Sequence, residues 1–200
     1  MKLYYTPGAC SLSPHIVIQE AGLSATLEKV DLKTHKTESG EDYYAVNPKG
    51  YVPALKLDGV TLTEGPAIVQ YLADQKPESG LAPREGTIAR YKLQEWLAFI
   101  SSELHKSFGP LFGNAPDAVK KEVAEKIQKR FGYVEKELDG KTFLTGEDFT
   151  IADAYLFVML FWARKHKLDL GAYPKLAALF DRIAARPRVR ETLKAEGLEL

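Results

Sequence analysis

The chain has one cysteine, and its neighbours are those of a reactive thiol. Cys10 lies in Thr6-Pro7-Gly8-Ala9-Cys10-Ser11-Leu12-Ser13-Pro14, between an apolar strand and the start of a helix. Unpaired backbone N–H groups and the positive end of the helix dipole stabilise a thiolate at such a junction. Cys10-Ser11-Leu12-Ser13 also has the spacing of a Cys-x-x-Cys redox motif with the second sulfur replaced by oxygen. A mixed disulfide formed there needs a second thiol from solution to resolve it. The opposing reading is a small buried hydrophobe, a common role of a free cysteine.

Three further stretches carry chemistry. Val52-Pro53 precedes a strand; proline is ordinary there, whereas a cis bond would leave the Val52 backbone free to pair with an extended peptide. Thr63-Glu64-Gly65-Pro66 joins a strand to a helix start, where N–H groups receive a carboxylate and Glu64 holds an amino group. It reads equally as a plain helix N-terminus. His105 follows Ser101, Ser102 and Glu103, and helical spacing puts the two serines beside it as a polar strip. A lone helical histidine is otherwise structural or exposed.

The elements that must position these residues change character near residue 80. Lys2-Leu3-Tyr4-Tyr5 reads as a strand. Ser13-Pro14 opens a helix, with serine as cap and proline in the first turn, and Gly22 stops it. Residues 27–32 form a second strand, so the first pair is parallel. A polar, turn-rich passage over 33–47 follows. Strands at 54–57 and 60–63 flank Asp58-Gly59, a strong hairpin signal, and a helix follows from Pro66. The expectation is four strands flanked by helices.

Residues 76–86 read as a linker, and everything after them reads as helix. Leu93, Leu97, Ile100, Leu104 and Phe108 form one apolar row, and Val119, Val123, Ile127 and Phe131 another. Thr150-Ile151-Ala152-Asp153 is a variant capping box opening an apolar helix that belongs at the centre of its domain. Helices at 177–185 and 189–195, separated by Pro187, complete the set.

Composition narrows the function. Acids and bases balance at 27 each, so no overall field favours nucleic acid or acidic lipid. The arginines and lysine between Arg182 and Lys194 lack interleaved aromatics and read as a solvated helix face. One cysteine excludes an internal disulfide and agrees with a reducing compartment. The start of the chain has no signal-peptide core, and the apolar run 151–163 is too short to span a bilayer. Histidines 15, 35, 105 and 166 show no metal-ligand spacing. The expectation is a soluble cytoplasmic protein without a metal, a membrane segment or a nucleic-acid partner.

Taken together, the chain resembles the glutathione S-transferases, specifically the bacterial beta class, over its whole length. The motifs are Lys2-Leu3-Tyr4-Tyr5-Thr6-Pro7-Gly8-Ala9-Cys10-Ser11-Leu12-Ser13-Pro14-His15, Asn47-Pro48-Lys49-Gly50-Tyr51-Val52-Pro53, Leu62-Thr63-Glu64-Gly65-Pro66-Ala67-Ile68-Val69-Gln70-Tyr71 and Ser101-Ser102-Glu103-Leu104-His105-Lys106. The fold this implies is a thioredoxin-like N-terminal domain over residues 1–78 and an all-helical domain over 87–200, assembled as a homodimer. The helical domain would supply the acceptor side of a cleft. Glutathione is implied as co-substrate, with no further cofactor.

The resemblance also assigns residues. Glutathione's cysteinyl part would pair with the backbone of Val52 before a cis Pro53. Its γ-glutamyl end would meet Glu64 and Gly65, and its sulfur would lie near Cys10. Ser102, Glu103 and His105 would complete the site. Tyr5 and Ser11 match positions from which other classes draw an activating hydroxyl. Relatives often carry Lys or Arg where this chain has His35, the position facing the glycyl carboxylate, with Lys36 beside it as a substitute; they often carry Asn where it has Ala98.

Ionisation alone makes a weak catalyst. Lowering a thiol pKa by about two units raises the thiolate fraction roughly twenty-fold at neutral pH, but a Brønsted slope of ~0.4–0.5 returns most of the gain. The larger contribution must be proximity to a bound electrophile. The main expectation is conjugation of glutathione to small apolar electrophiles, including halide displacement, with Phe108 and Phe112 lining the acceptor pocket. The alternative is a thiol transferase or reductase that uses Cys10 through a mixed disulfide. A non-catalytic binding module is the third reading, opposed by the joint presence of Cys10, Val52-Pro53, Glu64-Gly65 and His105.

Overall fold

Leu3 and Tyr4 are both fully buried, so the first strand, β1 (Lys2–Tyr5), is covered on both faces and lies inside a sheet. In the computed structural model, which describes all 200 residues, β2 (Thr26–Asp31) pairs parallel to β1, with Leu3 opposite Leu27. The crossover is α1 (Leu12–Glu20), as a parallel pair requires. On the other side β4 (Ala54–Leu57) runs antiparallel to β1, and β5 (Val60–Thr63) returns antiparallel to β4. Their turn is Asp58-Gly59, in which Gly59 takes φ 80°.

A fifth strand was not expected from the sequence. β3 (Lys36–Thr37) pairs antiparallel to the end of β2, giving the order β3-β2-β1-β4-β5. Two residues are too few to show a periodic pattern. Side-chain bonds hold this edge: the hydroxyls of Thr37 and Ser39 lie 3.0 Å apart, and Glu28 accepts the Ser39 amide at 3.1 Å.

The start of α1 also corrects the sequence reading. Ser11, not Ser13, occupies the cap position, and its hydroxyl makes no capping bond. Pro14 still falls in the first turn, where amides have no intrahelical partner. α2 (Gly65–Asp74) buries Ile68, Val69, Leu72 and Ala73.

The molecule divides into two compact units, Met1–Ala82 with Arg186–Leu200, and Pro83–Ala185. The final helix, α8 (Pro187–Ala195), therefore groups with the sheet rather than with the other helices, where the range 87–200 placed it. It packs on α1, and Arg186 clasps Glu20 through Nε and an Nη, both at 2.7 Å. Pro187 is the first residue of α8 rather than a spacer before it.

In the second unit, α3 (Ile88–Phe99) is capped by the Thr87 hydroxyl, which accepts the Arg90 amide at 3.2 Å. It continues through a π-helical turn, Ile100–His105, into α4 (Lys106–Phe112). Leu93, Leu97, Ile100, Leu104 and Phe108 are all buried, each worth about 1.5–3 kcal/mol relative to exposure. In α5 (Asp117–Glu137) the expected row holds only in part: Ile127 and Phe131 are buried, but Val119 is 39% exposed. Steps of four drift by about 40° each around an α-helix, and Val134 restores the core face with a step of three.

α6 (Ile151–Lys165) is buried at every position from 151 to 163. The Asp153 carboxylate accepts the Thr150 amide at 2.9 Å and its hydroxyl at 2.8 Å, closing the helix start. α7 (Pro174–Ala184) lays Phe180 flat on Phe157, with centroids 4.9 Å apart.

Candidate functional site

Strand register gathers the first set of residues. Tyr4 pairs with Ala54 and Ala54 with Thr63, so these three stand in one row across β1, β4 and β5. One residue beyond that row, at the same end of the sheet, stand Tyr5, Pro53 and Glu64. The turn bearing Cys10 follows Tyr5, Val52 adjoins Pro53, and Gly65 begins α2. Parallel β2 ends at this edge too, so His35, between β2 and β3, belongs to the same end.

The turn over 6–11 is heavily bonded. The Ala9 amide donates to Thr6 O at 3.0 Å, and the Thr6 hydroxyl donates to Val30 O at 2.7 Å. Ser11 is fully buried; its hydroxyl accepts the Thr6 amide at 3.1 Å and donates to Thr6 O at 3.2 Å. Both its functions are spent inside the turn, which argues against an activating hydroxyl at this position. Burial, with the negative charges of Glu196 and Glu38, holds the Tyr5 phenol above the ordinary tyrosine range. Tyr5 is therefore a protonated donor rather than a phenolate. The Cys10 thiol is partly exposed and donates to Val52 O at 3.2 Å.

The Val52 corner is braced from below. Tyr51 O accepts the Tyr43 phenol at 2.8 Å and the Asn47 amide at 2.7 Å. Burial pushes the Tyr43 pKa up to about 12, so that donor is permanent at ordinary pH. Val52 buries its side chain with Tyr4, Val30, Tyr43 and Ala54. The Val52–Pro53 bond is cis. Gly50 takes φ 71°, and a Cβ there would lie 2.8 Å from the Tyr44 ring, so no other residue fits without displacement.

Glu64 takes φ 72°, a conformation that side-chain-bearing residues rarely hold, and stands exposed at the N-cap of α2. Lys49 bridges to its carboxylate at 2.5 Å and to the Thr63 hydroxyl at 2.9 Å. Nothing in the motif that contains Lys49 marks it out for this contact. His35 also has positive φ, 51°; its ring lies 4.5 Å from that of Tyr44, and its buried Nδ1 has no hydrogen-bond partner.

Ser102, Glu103 and His105 belong to the second unit, on the π-helical turn. The expected strip of Ser101 and Ser102 beside His105 assumed α-helical spacing, which this turn lacks. Ser102 donates back to Ala98 O at 2.9 Å, and Glu103 pairs with Arg130 at 2.7 Å. His105 Nδ1 lies 2.5 Å from the Tyr155 hydroxyl, with its ring edge-on to Trp162. Phe108 has no exposed surface and is core, not pocket lining. Phe112 is 52% exposed, with its ring edge-on to Trp162 and His166.

The structure assembles no group of three or more His, Cys, Asp or Glu able to hold a metal ion. No helix is long and apolar enough to cross a membrane.

The strand order, bonded thiol turn, cis-proline corner and trailing helices together match what the sequence motifs imply. Residues 1–74 match the glutathione S-transferase N-terminal domain and residues 90–187 the glutathione S-transferase C-terminal domain. The chain belongs to the glutathione S-transferase family. It is 50% identical to glutathione S-transferase GstA of Escherichia coli O157:H7, with the whole of both chains covered. It superposes on a bacterial beta-class glutathione S-transferase of Sphingomonas chungbukensis with a TM-score of 0.96 and 51% identity, again over both whole chains. A sphingomonad glutathione S-transferase complexed with glutathione gives a TM-score of 0.95 at 51% identity, also over both whole chains.

Proposed function

We propose that this chain conjugates glutathione to small apolar electrophiles, in the role of a detoxifying enzyme. The observation that carries the reading is the Tyr4–Ala54–Thr63 row, which brings the Cys10 turn, the Val52 corner and Glu64 to one end of the sheet. An extended tripeptide running along that end would pair its cysteinyl part with the Val52 backbone. Glu64, with Gly65 at the start of α2, would take the γ-glutamyl amino and carboxylate groups. His35 and Lys36 would face the glycyl carboxylate. From the second unit, Ser102, Glu103 and His105 are assigned to the same site by resemblance.

In the reaction glutathione loses its thiol proton to solvent and its sulfur attacks the electrophilic carbon. With a chloroarene acceptor a C–S bond forms, the C–Cl bond breaks, and chloride leaves with the electron pair. Cys10 serves as neighbour and hydrogen-bonding group to the Val52 corner, since glutathione itself supplies the attacking sulfur. We further propose a homodimer, on the family resemblance, and a cytoplasmic setting, with which a single unpaired cysteine agrees.

Initial rates with 1-chloro-2,4-dinitrobenzene at varied glutathione test the proposal. Rates that saturate with glutathione are expected. Absence of any rate above the uncatalysed background would overturn conjugation, and a mixed disulfide on Cys10 after exposure to oxidised glutathione would then identify thiol-transfer chemistry.

A further inference from the structure

The turn that carries Cys10 is tied to the far end of the chain. Glu196, the residue that ends α8, is buried, and both its carboxylate oxygens are used. Oε2 accepts the Gly8 amide at 2.9 Å, and Oε1 lies 2.8 Å from Nδ1 of His15, which is itself fully buried in α1. A carboxylate accepts, so His15 donates from Nδ1, and its Nε2 has no partner. Burying a carboxylate and an imidazole is unfavourable unless each meets specific partners, and here each supplies the other.

Both partners of Glu196 lie on the segment that presents the thiol. Gly8 stands two residues before Cys10 and takes φ 69°, a conformation that glycine adopts without steric cost, and its amide donates to Glu196. Those internal bonds, Ala9 to Thr6 and Ser11 to Thr6, close the turn on itself. Backbone bonds join the turn to the start of α1, from Leu12 to Ala9 O at 3.0 Å and from Ser13 to Cys10 O and His15 to Ser11 O at 3.2 Å, but none of these three involves Gly8. The Glu196 carboxylate adds a tie at that earlier point of the turn, holding Gly8 through Oε2 and α1 through His15 at once. Glu196 is itself firmly anchored. Its own amide bonds Thr192 O at 3.0 Å in the last turn of α8, whereas the Arg186–Glu20 pair is a separate link at the opposite end of that helix.

We propose that Glu196 is a positioning residue, forming with His15 a carboxylate–imidazole clamp that sets where Cys10 stands relative to the Val52 backbone. The proposal rests on reading that end of the sheet as the glutathione site.

Cys10 is the only cysteine, so the rate of alkylation by iodoacetamide reports its position directly. In Glu196→Ala, alkylation is expected to change by about fivefold or more, and KM for glutathione to rise about tenfold with kcat within about threefold. Glu196→Gln keeps an acceptor for Gly8 and restores most of the loss. Glu20→Gln loosens the same pair of helices without touching the turn; it lowers Tm but leaves alkylation and KM at wild-type values. If Glu196→Ala behaves like Glu20→Gln, losing Tm alone, Glu196 is merely structural and the proposal is overturned. Should the alanine variant not fold, Glu196→Asp decides, since its shorter arm cannot reach both Gly8 and His15; unchanged alkylation there overturns the clamp. A wild-type protein without glutathione turnover would sink the proposed function while the alkylation comparison still decides the clamp.

Discussion

Cys10 Sγ lies 3.2 Å from the carbonyl oxygen of Val52, so the only thiol in the chain is a donor to the residue proposed to pair with glutathione. A carbonyl oxygen can only accept, and the contact is made with the proton on sulfur. The sequence left two roles open for this thiol, a covalent nucleophile or a neighbour of the glutathione sulfur, and the bond adds a third, a brace on the Val52 corner.

Replacing Cys10 therefore separates bracing from covalent catalysis. Cys10→Ser keeps a donor and Cys10→Ala does not, yet both are expected to retain conjugation within about tenfold in kcat/KM. Loss of about a thousandfold or more in both, measured as initial rates, would make Cys10 the nucleophile.

Tyr155→Phe probes His105 through the hydrogen bond at its Nδ1. The hydroxyl 2.5 Å from Nδ1 is lost, while Trp162 still holds the ring edge-on. One hydrogen bond is worth about 1 kcal/mol, which in a chain of this size lowers Tm by about 2–4 °C. If His105 serves the glutathione site, KM for glutathione should rise about threefold as the ring loses its orientation. A lowered Tm with unchanged KM would remove His105 from the site.

What was legible in the sequence was what local signals control. The hairpin over 54–63 has the expected bounds because alternation and an Asp-Gly turn act within ten residues. The start of α6 was readable because Thr150 and Asp153 answer each other within one turn. The π-helical turn was not, since Leu93, Leu97, Ile100, Leu104 and Phe108 are apolar at spacings that suit either helix. Nor was the place of α8, which depends on Glu196 meeting Gly8 across 188 residues. The bonding of Ser11 was not legible either: the family resemblance offered an activating hydroxyl at this position, and only the fold shows that hydroxyl bonded to the Thr6 amide and carbonyl.

Glu64→Gly should raise stability and weaken binding together. Positive φ at a residue with a side chain costs of the order of 1–3 kcal/mol, most of which glycine recovers. The lost ion pair with Lys49 is exposed and offsets little of that gain. The carboxylate proposed for the γ-glutamyl amino group disappears, so KM for glutathione should rise about tenfold or more. Tm and KM measured on one preparation decide it; a stable variant with unchanged KM would free Glu64 from the proposed role.

Asp153 makes the stability of the helical unit depend on pH. It is fully buried, and burial outweighs the bonds from Leu144, Thr150 and its own backbone, pushing its pKa from the ordinary 3.8 up to about 6. Between those values the folded chain binds a proton that the unfolded chain does not. The resulting stabilisation is complete below about 3.8 and is lost as pH rises through about 6. Asp153→Asn removes the titration and leaves one acceptor oxygen where two served the Leu144 and Thr150 donors, costing about 1–3 kcal/mol at pH 7. Other carboxylates titrate alike in both proteins, so the difference isolates this one. Denaturant midpoints at pH 4, 5, 6 and 7 should show the gap between wild type and variant widening toward acid; a constant or narrowing gap would mean that Asp153 does not titrate in this range.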